Sequence, residues 1–296
     1  MNLKIAIIAL TRGYPNNTSK YDTLIKRNHG IYERINKLRD VPADLILFHE
    51  DDLSIEDQKY IQKKSPEKIK YINVSKYFKY ETLKLDGEEK FNLGYRQMCR
   101  FHMFHIWNEV NNYDYILRVD EDIEISDFDP NIFELMNLKQ IIYLTGRFTK
   151  DTHRLTNQTL PPFLIENTDL NVKQIYNHRN PYTNLYASSV DFWKQKDIQY
   201  LIKKIATSDL QLINRWGDHT VQGIILNHKK ERIRLFPKLE YRHISHSLVI
   251  KNNFLRNMTI NSRLNPVSVS GGVLNRIKQR IKGSLLNKNK FDFDRN

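Results

Sequence analysis

The stretch YDYILRVDEDIEI, residues 113–125, decides how this chain is read. It opens as a short apolar run and ends abruptly in three consecutive carboxylates, Asp120, Glu121 and Asp122. Adjacent like charges repel, so something positive has to sit among them: solvent, a lysine or a metal ion. The run YDYILRV (113–119) has the length and the apolar, aromatic content of a buried strand. In α/β sheets ligands gather at the carboxyl ends of such strands.

Working outward, KIAIIAL (4–10), ADLILFHE (43–50) and KIKYINV (68–74) are further short apolar runs bounded by polar or turn residues. Between the first two, YDTLIKRNHGIYERINKL puts Leu24, Ile31, Ile35 and Leu38 along one helical face. SIEDQKYIQKK (54–64) predicts a helix opened by Ser54, with Asp57 three residues on as a capping-box-like signal. FNLGYRQMCRFHMFHIWNEV (91–110) predicts a long helix packed on its aromatic side. Strands alternating with helices define an α/β sheet with parallel neighbours and flanking helices. Arg12 and the acidic set Glu50, Asp51 and Asp52 fall at the same sheet edge as Asp120–Asp122.

The second half is less regular. IIYLTGRF (141–148) and YTNLYASSV (182–190) are strand-like, separated by a stretch read as loop-rich for its Pro161, Pro162 and Pro181. DFWKQKDIQYLIKKI (191–205) is an amphipathic helix, 208–228 holds one or two more, and a strand closes at about 232–236. No repeat and no Gly/Ser-rich linker divides the chain, so one domain over 1–260 and a tail over 261–296 are expected. In the tail, Val273, Leu274, Ile277, Ile281 and Leu285 share a helical face beside Arg276, Lys278, Arg280, Lys282 and Lys288. A basic amphipathic helix over 271–290 reads either as a contact to an anionic membrane surface or as a helix docked on the domain.

The net charge of +13 over 296 residues suits a phosphate-bearing substrate, an anionic membrane face or nucleic acid, and equally a compositional bias to Lys and Asn. No apolar run approaches the roughly 18 residues that span a bilayer. The apolar N-terminus leads into Arg12 and Gly13 without a cleavage-like site, so it reads as a strand. A single cysteine, Cys99, excludes an internal disulfide framework and points to a reducing compartment. The expected location is the cytoplasm, at the inner membrane face if the tail anchors.

Two carboxylates spaced i, i+2 after a buried strand can reach one divalent ion if the chain turns there, and oxygen ligands suit Mn²⁺ or Mg²⁺. That is the logic of the D-x-D motif in nucleotide-sugar transferases, where the metal neutralises charge on the departing diphosphate. GYRQMCRF (94–101), YDYILRVDED (113–122), TNLYASSVDFW (183–193), RWGDHTV (215–221) and LEYRH (239–243) follow in order. In that order they resemble the fungal-type α-1,2-mannosyltransferase family, whose members use GDP-mannose and Mn²⁺ with retention. The resemblance implies a GT-A-like (Rossmann-like) mixed, mostly parallel sheet. It also implies a nucleotide-sugar donor and a glycan or glycolipid acceptor, with no nucleic-acid partner.

Carried over position by position, the resemblance makes Asp120, Asp122 and His243 the metal ligands. Asp191, in SSVDF, stands at the acidic residue of the family's S-N-F-E segment and is the candidate catalytic carboxylate. Arg12, Glu50, Asp51, Arg96, Arg100, Arg118, Asp120, Arg215 and Asp218 are the candidate donor-binding set. Each has a plainer reading. Asp191 can cap helix 191–205, Arg215 and Asp218 can form a structural ion pair, and Arg96 and Arg100 can solvate one helix face. Glu121 stands where the family has Pro, and Asp120 where it has Glu. Donor sugar, linkage and stereochemical course therefore stay open.

Overall fold

The computed structural model describes residues 3–253, apart from 80–82, 84, 86–90, 177, 230 and 232. The tail 261–296, including the basic stretch 271–290, lies outside the described residues. Twelve strands are described: β1 (Ile5–Thr11), β2 (Asp44–His49), β3 (Ile69–Asn73), β4 (Tyr115–Val119), β5 (Ile123–Phe128), β6 (Tyr143–Thr145), β7 (Phe148–Thr149), β8 (Asn180–Pro181), β9 (Leu185–Ser189), β10 (Arg234–Leu235), β11 (Lys238–His243) and β12 (Leu248–Asn253). The described α-helices are α1 (Asp22–Arg34), α2 (Ile55–Lys64), α3 (Leu93–Arg100), α4 (Ile106–Glu109), α5 (Ile132–Leu138), α6 (Arg154–Asn167), α7 (Val172–Tyr176), α8 (Val190–Lys194), α9 (Lys196–Ala206), α10 (Asp209–Ile213) and α11 (Asp218–His228).

The central sheet has seven strands in the order β10-β6-β9-β4-β1-β2-β3. β4, β1, β2 and β3 run parallel, β10 runs parallel to β6, and β9 is antiparallel to both its neighbours. Alternate residues of β1 face opposite layers, as the two-residue period of a strand requires. Ile7 and Ala9 join a core with α1, α5 and a second sheet ordered β12-β11-β5. Ala6 and Ile8 join one with α4, α9 and α11. Met1–Asn252 gather into one compact unit.

Ser54 caps α2, its hydroxyl accepting from the Asp57 N–H at 3.0 Å, as the sequence signal predicts. The long aromatic helix is α3 and α4 joined by a π-helical turn, Phe101–His105. Two expectations need correction. Leu24, Ile31 and Ile35 are buried, but Leu38 is 57% exposed, because α1 ends at Arg34 and the chain turns off its helical face. The stretch read as loop-rich contains two helices, α6 and α7, and α6 carries Pro161 and Pro162 inside it. Burial of Leu160 and Leu164, with Trp216 Nε1 donating to Thr159 Oγ1 at 2.8 Å, offsets the lost backbone bonds.

Candidate active site

β4 ends at Val119, and the chain turns at once: the Ile123 N–H donates to the Asp120 carbonyl at 3.2 Å. This turn puts the Asp120–Asp122 side chains around the end of the strand, on a cavity of about 1120 Å³. Its floor comes from β4 and the residues before β9, its walls from α3, residues 149–155 and the 215–219 segment.

Antiparallel pairing of β11 with β5 sets His243 opposite Ile123, and so brings it beside Asp122 across some 120 residues. His243 Nε2 lies 3.1 Å from Asp122 Oδ2. Its Nδ1 meets the Tyr182 hydroxyl at 2.8 Å and Asn184 Nδ2 at 3.1 Å, which fixes the ring's orientation. Burial alone would raise the Asp122 pKa, but hydrogen bonds from His243 and Ser245 outweigh it and hold the carboxylate at about 2. His246 stacks on His243, with ring centroids 4.3 Å apart.

Arg118 occupies the cavity floor. Its Nε and Nη2 donate to Asp120 at 2.7 and 3.3 Å, and Nη1 donates to Asp218 at 2.8 Å. Glu121 lines the same cavity and accepts from Thr11 Oγ1 at 2.7 Å and from the Tyr14 hydroxyl at 3.3 Å. Burial lifts its pKa above the ordinary glutamate value, against the hydrogen bonds from Thr11 and Tyr14. Tyr14, Arg12 and Asp52 line a second cavity of about 480 Å³ at the end of β1. Gly13 is needed there, because a Cβ would stand 1.8 Å from the Asp52 carbonyl oxygen.

Asp151 is a carboxylate that the sequence reading missed. Arg215 Nη1 donates to its two oxygens at 3.1 and 3.2 Å, Thr220 Oγ1 donates at 2.9 Å, and His219 Nε2 lies 3.4 Å away. Burial would raise its pKa; His219 and Arg215 outweigh burial and hold it well below the usual aspartate range. Arg215 sits at φ 56°, a left-handed conformation unusual for a side-chain-bearing residue, and its guanidinium lies 4.3 Å from the Phe91 ring centre. No motif marked Asp151; its signal was only an acidic residue shortly after a strand.

The structure brings Asp120, Asp122, His243, Arg118, Arg215 and Asp218 to one cavity and Arg12 to the other. The remaining site candidates lie elsewhere. Asp191 is the clearest correction: its side chain is 78% exposed, paired with Lys194 at 3.0 Å. Because β9 runs antiparallel to β4, with Ser189 opposite Tyr115, Asp191 is at the sheet edge remote from Asp120. The stretch that meets the cavity is Tyr182-Thr183-Asn184, at the opposite end of β9 from Asp191. Arg96 is buried and donates to the carbonyls of Phe91, Leu212 and Ile213, while Arg100 donates to Gln211 and the Ser208 carbonyl. Both fasten α10 to α3. Asp51 accepts from Asn73 at 2.7 Å, and neither it nor Glu50 lines either of these two cavities.

Two carboxylates and an imidazole on one cavity are a donor set suited to a borderline-hard divalent ion. Asp122 and His243 converge; Asp120 has both oxygens bonded by Arg118 but keeps further lone pairs. Among the described residues, no group of three His, Cys, Asp or Glu is already drawn together around a common point.

The fold is that of the GT-A glycosyltransferases. The chain superposes on the mannosyltransferase Ktr4p of Saccharomyces cerevisiae with a TM-score of 0.66 at 17% identity, covering 81% of this chain and 70% of that one. Core-mannan synthase A of Aspergillus fumigatus, in its Mn/GDP form, gives 0.65 at 17% identity over 82% and 75% of the two chains. In sequence the chain is similar to the probable mannosyltransferase KTR3 of Saccharomyces cerevisiae, 26% identical over 183 residues. That match takes in 54% of this chain and 45% of the relative, so it spans less than half of the relative's length. No family model matches the chain.

Proposed function

We propose that the chain is a glycosyltransferase that moves a hexose, mannose in the first instance, from GDP-mannose to a glycan or glycolipid acceptor with retention. The observation that carries this reading is that the Asp122–His243 pair and Asp120 line one cavity at the carboxyl edge of the sheet. The fold shared with mannosyltransferases, and the GDP complex among the superposable Ktr4p structures, support the donor class.

In this reading Asp122 and His243, with Asp120, would hold a divalent ion, Mn²⁺ or Mg²⁺. Such an ion supplies charge neutralisation on the departing diphosphate. Tyr182 and Asn184 keep the His243 ring in place. Arg12, Tyr14 and Asp52 receive the nucleoside in the second cavity, and Glu121 ties that loop to the main site. Asp218, held by Arg118, stabilises the positive charge that builds on the sugar ring as the acceptor hydroxyl attacks. The basic stretch 271–290 would bring the enzyme to an anionic membrane surface carrying the acceptor. Among the described residues, no helix is long and apolar enough to cross a membrane.

The test is GDP release from GDP-mannose with mannoside acceptors, before and after exhaustive chelation and with Mn²⁺ restored. Anomeric configuration of the product is read by NMR. Full activity after chelation overturns the metal assignment, and no turnover across a panel of nucleotide sugars overturns the reading.

A further inference from the structure

His102 takes no part in the contacts described so far. It belongs to the π-helical turn Phe101–His105, is 1% exposed, and lines the main cavity. Single π turns inside helices recur at functional sites, because the extra residue re-aims the side chains that follow. The ring of His102 packs edge-on against Phe101, with centroids 5.3 Å apart, and its Nδ1 is buried without a hydrogen-bond partner. Burial, reinforced by the charge on Arg118, keeps the imidazole neutral, its pKa well below the ordinary histidine value.

A buried nitrogen left without a partner is tolerated better as a bare acceptor than as an orphaned N–H. The proton of the neutral ring therefore belongs on Nε2, the nitrogen left to meet the cavity. The charge on Arg118 is already shared between Asp120 and Asp218, so a phosphate gains little near it. A neutral group rich in hydroxyls is better matched, since it can both accept from His102 and donate to the carboxylates.

We propose that His102 donates from Nε2 to a hydroxyl of the transferred sugar and thereby helps to select the sugar. The proposal rests on the glycosyl-transfer reading above. His102 is then a specificity residue on the helix wall, absent from the D-x-D and R-W-G-D motifs.

The experiment compares wild type with His102→Phe, which keeps an aromatic ring against Phe101 but removes both nitrogens, and with His102→Asn, which restores a donor. GDP binding is followed by calorimetry, hydrolysis of GDP-mannose and GDP-glucose by initial rates, and folding by melting curves. His102→Phe is expected to bind GDP within about twofold of wild type but to lose roughly tenfold to a hundredfold in kcat/KM for GDP-mannose. Its preference between the two sugars should shrink, and His102→Asn should recover part of both. If His102→Phe does not fold, His102→Leu, which also lacks a donor, carries the same comparison. Unchanged kcat/KM and sugar preference, or an equal loss of GDP binding, overturns the proposal while wild-type turnover leaves the glycosyltransferase reading intact. A wild type that turns over no nucleotide sugar overturns both.

Discussion

Replacing Arg118 with methionine removes the cation that Asp120 and Asp218 share, and the structure sets the size of the effect. The side chains of Arg118 and Asp218 are 5% and 6% exposed and 2.8 Å apart, whereas the Asp120 side chain is 28% exposed. Breaking a buried pair from one side costs about 3–5 kcal/mol, because the remaining charge is left uncompensated. Asp120 can turn to water, so Asp218 carries most of the penalty and the lower end, about 3 kcal/mol, is expected. At about 2–4 °C per kcal/mol for a domain of this size, Arg118→Met should melt roughly 6–12 °C lower. Asp218→Asn removes the second charge, so the double variant should be less destabilised than the sum of the singles by about 2 kcal/mol. Thermal and urea unfolding of the four proteins closes the cycle. Additivity within about 0.5 kcal/mol would refute a buried, mutually dependent pair.

Removal of His243 by alanine should weaken Mn²⁺-dependent GDP binding by about tenfold or more, while His246→Ala changes it less than about threefold; calorimetric titrations with equal losses would displace His243 as a ligand. Asp191→Asn should leave turnover at wild-type levels and stability within about 0.5 kcal/mol, since the side chain is exposed and far from the cavity. A large rate loss would reinstate it. Asp151→Asn should cost about 2 kcal/mol at pH 7. Because the folded-state pKa of Asp151 is depressed, its stabilising effect is present above its unfolded value and fades as pH falls. The gap between wild type and Asp151→Asn should therefore narrow below about pH 4 in urea titrations. A constant gap from pH 7 to pH 3 removes the charge-based explanation.

Local patterns carried the first half of the chain well. Strand runs at β1, β2, β3 and β4 and the Ser54 cap follow from hydrophobic period and side-chain chemistry within a few residues. The 149–181 stretch was misread for the opposite reason: its prolines signal a break, and only contacts with Trp216 and the core keep α6 helical. Asp191 failed on register. The motif-like SSVDF lies only a few residues beyond Thr183-Asn184, yet those few residues span β9 and end at the far edge of the sheet.

By itself the sequence determined the α/β class, the placement of three carboxylates at the end of β4 and, through its resemblance, the pairing of that cluster with His243. These depend on short-range periodicity and on order along the chain. Only the tertiary structure decided which charges share a cavity. Arg118 and Arg96 are both buried arginines, yet one meets Asp120 and Asp218 while the other meets carbonyls of α10. Asp151 and His102 likewise gain their surroundings from elements distant in sequence. A side chain's chemistry is fixed by its residue type, but its charge state and partners are set by burial and by neighbours that only folding supplies.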